Sequence, residues 1–185
     1  ETIDLDIDID VLHNVKPNSP KYRQGQEMVI KAIFDKNNSK LLGAQIIGYE
    51  GVDKRIDVLA TAITFGANAE DLFHLDLAYA PPFSTTKDPV IYTGMIGHNI
   101  TRGRKIITPE EVIKQNNDLL ILDVRSPKQF EVNHVDGAIN VPLKMLRSYA
   151  KTLDKNQKIV TYCNKGTTGN AAQNVLINLG FKQVF

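Results

Sequence analysis

Lys158-Ile159-Val160-Thr161-Tyr162-Cys163-Asn164-Lys165-Gly166-Thr167-Thr168-Gly169-Asn170 joins a short apolar run to a polar loop that contains two glycines. Lys158–Tyr162 reads as a buried strand, and a helix is expected from Gly169 to Leu179. A strand that hands over to a helix in this way is the repeating unit of a parallel α/β sheet, where ligands bind at the carboxyl ends of the strands. Cys163 occupies such an end. Gly166 and Gly169 let the loop curl so that successive backbone N–H groups point inward as a nest, and the following helix adds its positive N-terminus. A cradle of this kind stabilises a thiolate and any anion attached to it, which makes the sulfur nucleophilic near neutrality. Lys165 adds a full positive charge two residues on.

The flanking sequence repeats the pattern. Thr108-Pro109-Glu110-Glu111 combines an N-cap threonine, proline at the first helical position and glutamate three residues after the cap, a capping box that opens a new unit. Then come Leu119–Val124 (strand), Ser126-Pro127 to Asn133 (helix), Ala138–Val141 (short strand) and Leu143–Leu153 (helix), with Phe181–Phe185 beginning another strand. Continuous apolar strands alternating with helices imply a parallel sheet covered on both faces. The chain ends inside that last strand, so this unit is expected to be clipped at its C-terminus.

Asp123-Val124-Arg125, Phe130, the run His134-Val135-Asp136-Gly137-Ala138-Ile139-Asn140-Val141-Pro142 and the Cys163–Thr168 loop together resemble a rhodanese domain over residues 106–185. The resemblance implies that Cys163 accepts a sulfane sulfur as a persulfide and passes it to a nucleophile. It makes Asn164, Lys165, Gly166, Thr167, Thr168 and Arg125 the groups that hold the substrate or its anion. Asp123 and Arg125 read as an ion pair steadying the loop, and His134 as a helix-end residue orienting the turn at Gly137. Many single-domain members carry arginine where this chain has Thr168. The Cys-x-Lys-Gly-x-Thr form resembles thiosulfate-using members instead, although Asn164 and Gln129 are less cationic than their counterparts there. Two other readings compete with this one: a lone cysteine serving as a small buried hydrophobe, and a phosphatase loop, which would need an arginine fork that Thr168 and Gly169 do not provide.

The first half is built differently. Glu27–Phe34 and Lys40–Gly48 are apolar, partly alternating runs separated by Asp35-Lys36-Asn37-Asn38-Ser39, the pattern of strand, turn, strand. Leu5–Val11 alternates acid and aliphatic with period two, which predicts a third strand. Val52, Ile56, Leu59, Ala60 and Ile63 recur at helical spacing and stop near Gly66. Asn68 caps a short helix over Ala69–Leu75, and Asp88-Pro89 opens another reaching about Asn99. The expected unit is α+β, a small antiparallel sheet with helices on one side.

Leu41-Gly43-Ala44-Gln45-Ile46-Ile47-Gly48, Asp53-Lys54-Arg55-Ile56-Asp57, Asp76–Ser84 and Lys87-Asp88-Pro89 closely resemble the C-terminal dimerisation domain of the flavin-dependent pyridine-nucleotide disulfide reductases, in the branch of coenzyme A disulfide reductases and NADH oxidases. The resemblance covers most of residues 8–100. It implies a homodimer in which Tyr22 and Tyr79 lie near coenzyme A bound in the partner subunit's site. It also implies FAD, NAD(P)H and coenzyme A for a longer parent. No G-x-G-x-x-G turn occurs in the chain, so neither FAD nor NAD(P)H is expected to bind the fragment itself.

The 185 residues are 42% hydrophobic and 23% charged, enough for a packed core and too little charge for disorder. Residues 1–100 hold 9 Lys+Arg against 14 Asp+Glu and residues 101–185 hold 13 against 7, so the net charge of +1 conceals two units of opposite sign. The basic half suits small anions, whereas dispersed lysines without an aromatic platform argue against nucleic acid. One cysteine and four scattered histidines exclude an internal disulfide and give no metal-ligand spacing. No run approaches the roughly 18 apolar residues of a membrane span, and a reducing cytoplasm is the expected compartment.

The expectation is therefore a dimerisation domain (1–100, following a missing portion), a linker (101–107) and a rhodanese domain (108–185). Together these form part of an FAD-dependent coenzyme A disulfide or persulfide reductase with sulfurtransferase activity. Its substrates would be small sulfur-containing anions or the coenzyme A persulfide or disulfide. The competing expectation is a non-catalytic dimerisation and docking module with an inert rhodanese fold.

Overall fold

The computed structural model describes residues 7–115 and 118–185. The chain divides into two compact units, residues 1–103 and 104–185.

In the first unit, β1 (Ile9–Pro17), β2 (Glu27–Asp35) and β3 (Leu41–Ile47) form an antiparallel sheet in sequence order. Alternation along β2 sends Met28, Ile30, Ala32 and Phe34 into the core. Helices α1 (Val52–Thr64), α2 (Ala69–Phe73) and α3 (Pro89–Thr101) cover that face with Leu59, Leu72 and Val90. The caps are as the sequence predicts: Asn68 accepts from Glu70 and Asp71 N–H, and Asp88 accepts from Val90 N–H. The first strand differs from its expectation. It begins at Ile9 and runs to Pro17, because β2 offers partners from Asp35 down to Glu27. Leu5 and Asp6 of the expected strand lie outside the described residues.

A buried ion pair holds this unit's loops to its helices. Arg55 on α1, whose side chain is 2% exposed, forks onto Asp88 at 3.1 and 2.8 Å. Its remaining donors meet the carbonyls of Gly51, Asn18 and Phe83. Ser84 Oγ also donates to Asp88. The guanidinium is thus paired and hydrogen-bonded on all sides, the condition under which a buried charge is tolerated.

The second unit has a parallel sheet in the order β5-β4-β6-β7, made of β4 (Leu119–Asp123), β5 (Ile139–Asn140), β6 (Lys158–Tyr162) and β7 (Gln183–Val184). Its helices are α4 (Pro109–Lys114), α5 (Pro127–Val132), α6 (Leu143–Tyr149) and α7 (Thr167–Asn178). Leu122, Ile159, Leu146, Ala172 and Leu176 form the core. The capping box at Thr108 is present, with Glu111 returning its carboxylate to the Thr108 amide. The helix expected over Leu143–Leu153 stops at Tyr149 and continues as a tight turn over Ala150–Thr152. The helix expected from Gly169 begins two residues earlier, at Thr167, because Gly166 takes φ 77° and turns the chain within one residue.

Candidate active site

Strands β4 and β6 are neighbours in the parallel sheet, and their last residues, Asp123 and Tyr162, are register partners. The chain leaves β4 through Val124-Arg125 and leaves β6 through Cys163-Asn164, so Asp123, Arg125, Tyr162, Cys163 and Asn164 collect at the carboxyl ends of the two inner strands.

Cys163 is half-buried and packs against the unit's apolar core. The N–H of Gly169, in the first turn of α7, donates to Cys163 Sγ at 3.3 Å. Thr161 Oγ1 on β6 donates to the carbonyls of Gly169 and Phe185, at 3.0 and 3.2 Å, which fastens that first turn to the sheet. A Cβ on Gly169 would lie 3.2 Å from Thr161 O, tighter than most such contacts, and 3.4 Å from Tyr162 Cα, so helix and strand approach closely at this glycine. Asn164, Lys165, Gly166 and Thr167 are exposed on the loop, and Thr168 is half-buried. A ligand on the sulfur therefore meets backbone N–H, the positive end of a 12-residue helix and polar side chains.

Asp123 is fully buried. Its carboxylate takes the Arg125 guanidinium as a fork, Nε at 2.9 Å and Nη2 at 2.6 Å, and its Oδ1 also accepts the Arg125 backbone N–H. Burial pushes the Asp123 carboxyl up, but the side-chain and backbone hydrogen bonds from Arg125, with that of Tyr162, outweigh it and hold the group below the usual carboxylate range. The Asp123 carboxylate in turn raises the Arg125 guanidinium. Tyr162 is pushed up by burial and by its hydrogen bond to Asp123, against the lowering effect of Val135, whose N–H donates to the phenol oxygen at 3.1 Å. Arg125 lies over the Tyr162 ring, 5.5 Å from its centroid. Its Nη1 donates to Asn164 Oδ1 at 3.0 Å and its Nη2 to the Asn133 carbonyl at 2.7 Å.

Of the residues named from sequence, Cys163, Asn164 and Arg125 are brought together with Asp123. Gln129 is committed elsewhere: its Oε1 accepts from Ser126 N and Oγ at the start of α5. His134 stacks on Phe130 at 3.8 Å, and its Nδ1 meets the Phe130 carbonyl, next to Gly137 at φ 77°. Tyr22 and Tyr79 belong to the first unit and are 73% and 52% exposed. The sequence by itself marks Tyr162 only as a strand residue. Its signal was its place as the last residue of a strand beside Asp123. Among the described residues no His/Cys/Asp/Glu group has a metal-binding arrangement, and no helix is long and apolar enough to cross a membrane.

Residues 3–89 match the family model of the pyridine nucleotide-disulphide oxidoreductase dimerisation domain, and residues 108–185 match that of the rhodanese-like domain. The reduced CoADR-RHD of Bacillus anthracis is similar over 97% of this chain, with 34% identity and a TM-score of 0.88. An NAD-dependent persulfide reductase from A. fulgidus is similar over the same share, with 32% identity and a TM-score of 0.79. The chain spans 32% of each of those solved chains. The NAD(P)H sulfur oxidoreductase (CoA-dependent) of Pyrococcus furiosus is 44% identical over 78 residues, which is 42% of this chain and 17% of that protein.

Proposed function

We propose that this chain, which joins a pyridine nucleotide-disulphide oxidoreductase dimerisation domain to a rhodanese-like domain, is the C-terminal part of a coenzyme A disulfide or persulfide reductase in which Cys163 carries sulfane sulfur. The observation that carries this reading is the Gly169 N–H on Cys163 Sγ at the first turn of α7. The backbone N–H and the helix N-terminus at that sulfur suit a terminal persulfide, which is an anion.

With thiosulfate, the Cys163 thiolate attacks the outer sulfur. A new S–S bond forms, the bond to the sulfonate sulfur breaks, and sulfite leaves with the electron pair. The Cys163 persulfide then gives its terminal sulfur to an acceptor thiolate such as that of coenzyme A, which yields the acceptor persulfide and regenerates the cysteine thiolate. Lys165, Asn164, Thr167, Thr168 and the Gly166 turn are the groups that face the anion, and Arg125 acts from behind the loop.

FAD and NAD(P)H supply the reducing equivalents in the parent family. This chain's own glycine turns do not fit a dinucleotide. In the turn between β3 and α1, a Cβ on Gly48 would run into Met28 and one on Gly51 into Arg55, so these glycines serve close packing, while Gly166 serves the Cys163 loop. Flavin and nicotinamide therefore belong to the parent rather than to these residues.

The first unit is read as a homodimer interface, with Tyr22 and Tyr79 offered to the partner subunit's coenzyme A site. Val11, Val29 and Ile47 stand exposed on the sheet face that no helix covers, and Val29 and Ile47 are cross-strand partners. Such a face is stabilised by pairing. Cyanide-dependent release of thiocyanate from a thiosulfate-loaded sample tests the sulfurtransferase reading. Release that requires Cys163 supports it, and none favours an inert docking module.

A further inference from the structure

Arg125 and Asn164 are 39 positions apart in sequence and 3.0 Å apart in space, between Nη1 and Oδ1. Arg125 has little freedom in that contact. Its Nε and Nη2 are held by the buried Asp123 carboxylate and its Nη2 also by the Asn133 carbonyl, so the plane of the guanidinium, and with it the direction of Nη1, is fixed. A guanidinium offers only donors. The amide of Asn164 must therefore turn its oxygen to Arg125 and its nitrogen, with two N–H donors, the other way.

We propose that Arg125 is a positioning residue that sets the polarity of Asn164. By claiming the amide's acceptor, it commits the residue next to the nucleophile to donate, so the Cys163 site selects sulfur compounds whose reacting end is flanked by anionic oxygen or sulfur. Released from Arg125, the amide flips freely and presents its oxygen as readily as its nitrogen, and an anion there meets a lone pair instead of an N–H. This rests on the reading that Cys163 reacts with anionic sulfur compounds, and it adds the source of that selectivity. It also explains how a loop without a second cation after Lys165 can favour anions: the charge of Arg125 acts through a neutral amide.

The test compares alkylation of Cys163 by iodoacetate, an anion, and by iodoacetamide, its neutral counterpart, at one pH. The ratio of the two rates cancels the thiolate fraction and any general loosening of the loop. Asn164→Ala removes the donors. Arg125→Lys keeps the charge beside Asp123 but lacks the fork that reaches Asn164. Each is expected to lower the ratio by roughly three- to tenfold, the range of an ordinary net hydrogen bond. The double variant is expected to fall no further than either single one. An unchanged ratio in Asn164→Ala, or two effects that multiply, overturns the proposal.

A second measurement keeps the test decisive if Arg125→Lys fails to fold. In the Cys163→Ser chain, the Asn164 side-chain N–H resonances should shift when thiosulfate is added, and resonances that stay in place overturn the proposal. Sulfur loading of the unaltered chain is read separately. A chain that loads sulfur with an indifferent alkylation ratio refutes the amide's role alone, and one with the expected ratio that never loads refutes the sulfurtransferase reading alone.

Discussion

Gly169 places its backbone N–H 3.3 Å from the sulfur of Cys163, six positions earlier in the chain. That one contact joins a strand end, a glycine turn and a helix N-terminus at the nucleophile. A side chain at Gly169 would push against Thr161 O and Tyr162 Cα. Gly169→Ala is therefore expected to move the first turn of α7 off the strand, at a cost of about 1–3 kcal/mol in stability. Persulfide formation from thiosulfate should slow by about tenfold, the effect of weakening one hydrogen bond by about 1.4 kcal/mol. Stopped-flow measurement of sulfite release checks this, and an unaltered rate in a folded variant would show that the Gly169 N–H is incidental.

Asp88→Ala leaves the Arg55 guanidinium buried without its counter-ion. The first unit is expected to lose about 3–5 kcal/mol, the usual result of breaking one side of a buried pair. Urea unfolding followed by circular dichroism reads it, and a loss below about 1 kcal/mol would mean that water or another acceptor replaces Asp88.

Asp123 carries the pH dependence. Its folded value is depressed, so its pairing with Arg125 contributes stability that is fully present above the unfolded carboxylate value of about 3.9 and is lost as pH falls through the lower folded value. The second unit is expected to keep its Arg125–Asn164 contact at pH 4 and to weaken only under stronger acid. Carboxyl-carbon NMR of Asp123 measures the midpoint directly, and titration at or above the ordinary aspartate value would contradict the arrangement.

Much of this was legible in the sequence, and the rest was not for identifiable reasons. The cap at Asn68, the capping box at Thr108 and the Asp88-Pro89 helix start are local chemistry, so residues a few positions apart suffice to reveal them. The extent of β1 was misplaced because acid–aliphatic alternation marks a face, whereas the strand's length is set by the partner that β2 provides. The start of α7 depends on a positive φ at Gly166, which the sequence permits but does not require. At the site, Cys163 and its loop stood out. The part played by Tyr162 did not, since the Asp123–Tyr162 pairing exists only once β4 and β6 are in register.

Ile47 is 77% exposed on the sheet face that no helix covers, opposite Val29. Ile47→Asp should leave the unit folded while disfavouring a homodimer, since a buried unpaired carboxylate costs several kcal/mol at an interface. Sedimentation analysis should report a dimer for the unaltered chain and a monomer for the variant. A dimer that survives the change would place the interface elsewhere.

The central claim is that Cys163 carries sulfane sulfur, and intact-protein mass spectrometry after exposure to thiosulfate tests it most directly. The account predicts a gain of about 32 Da, one sulfur atom, reversed by cyanide and absent from Cys163→Ser. An unmodified mass after thiosulfate and after a coenzyme A persulfide, in a chain that is folded by circular dichroism, would contradict it and leave Cys163 as a structural thiol.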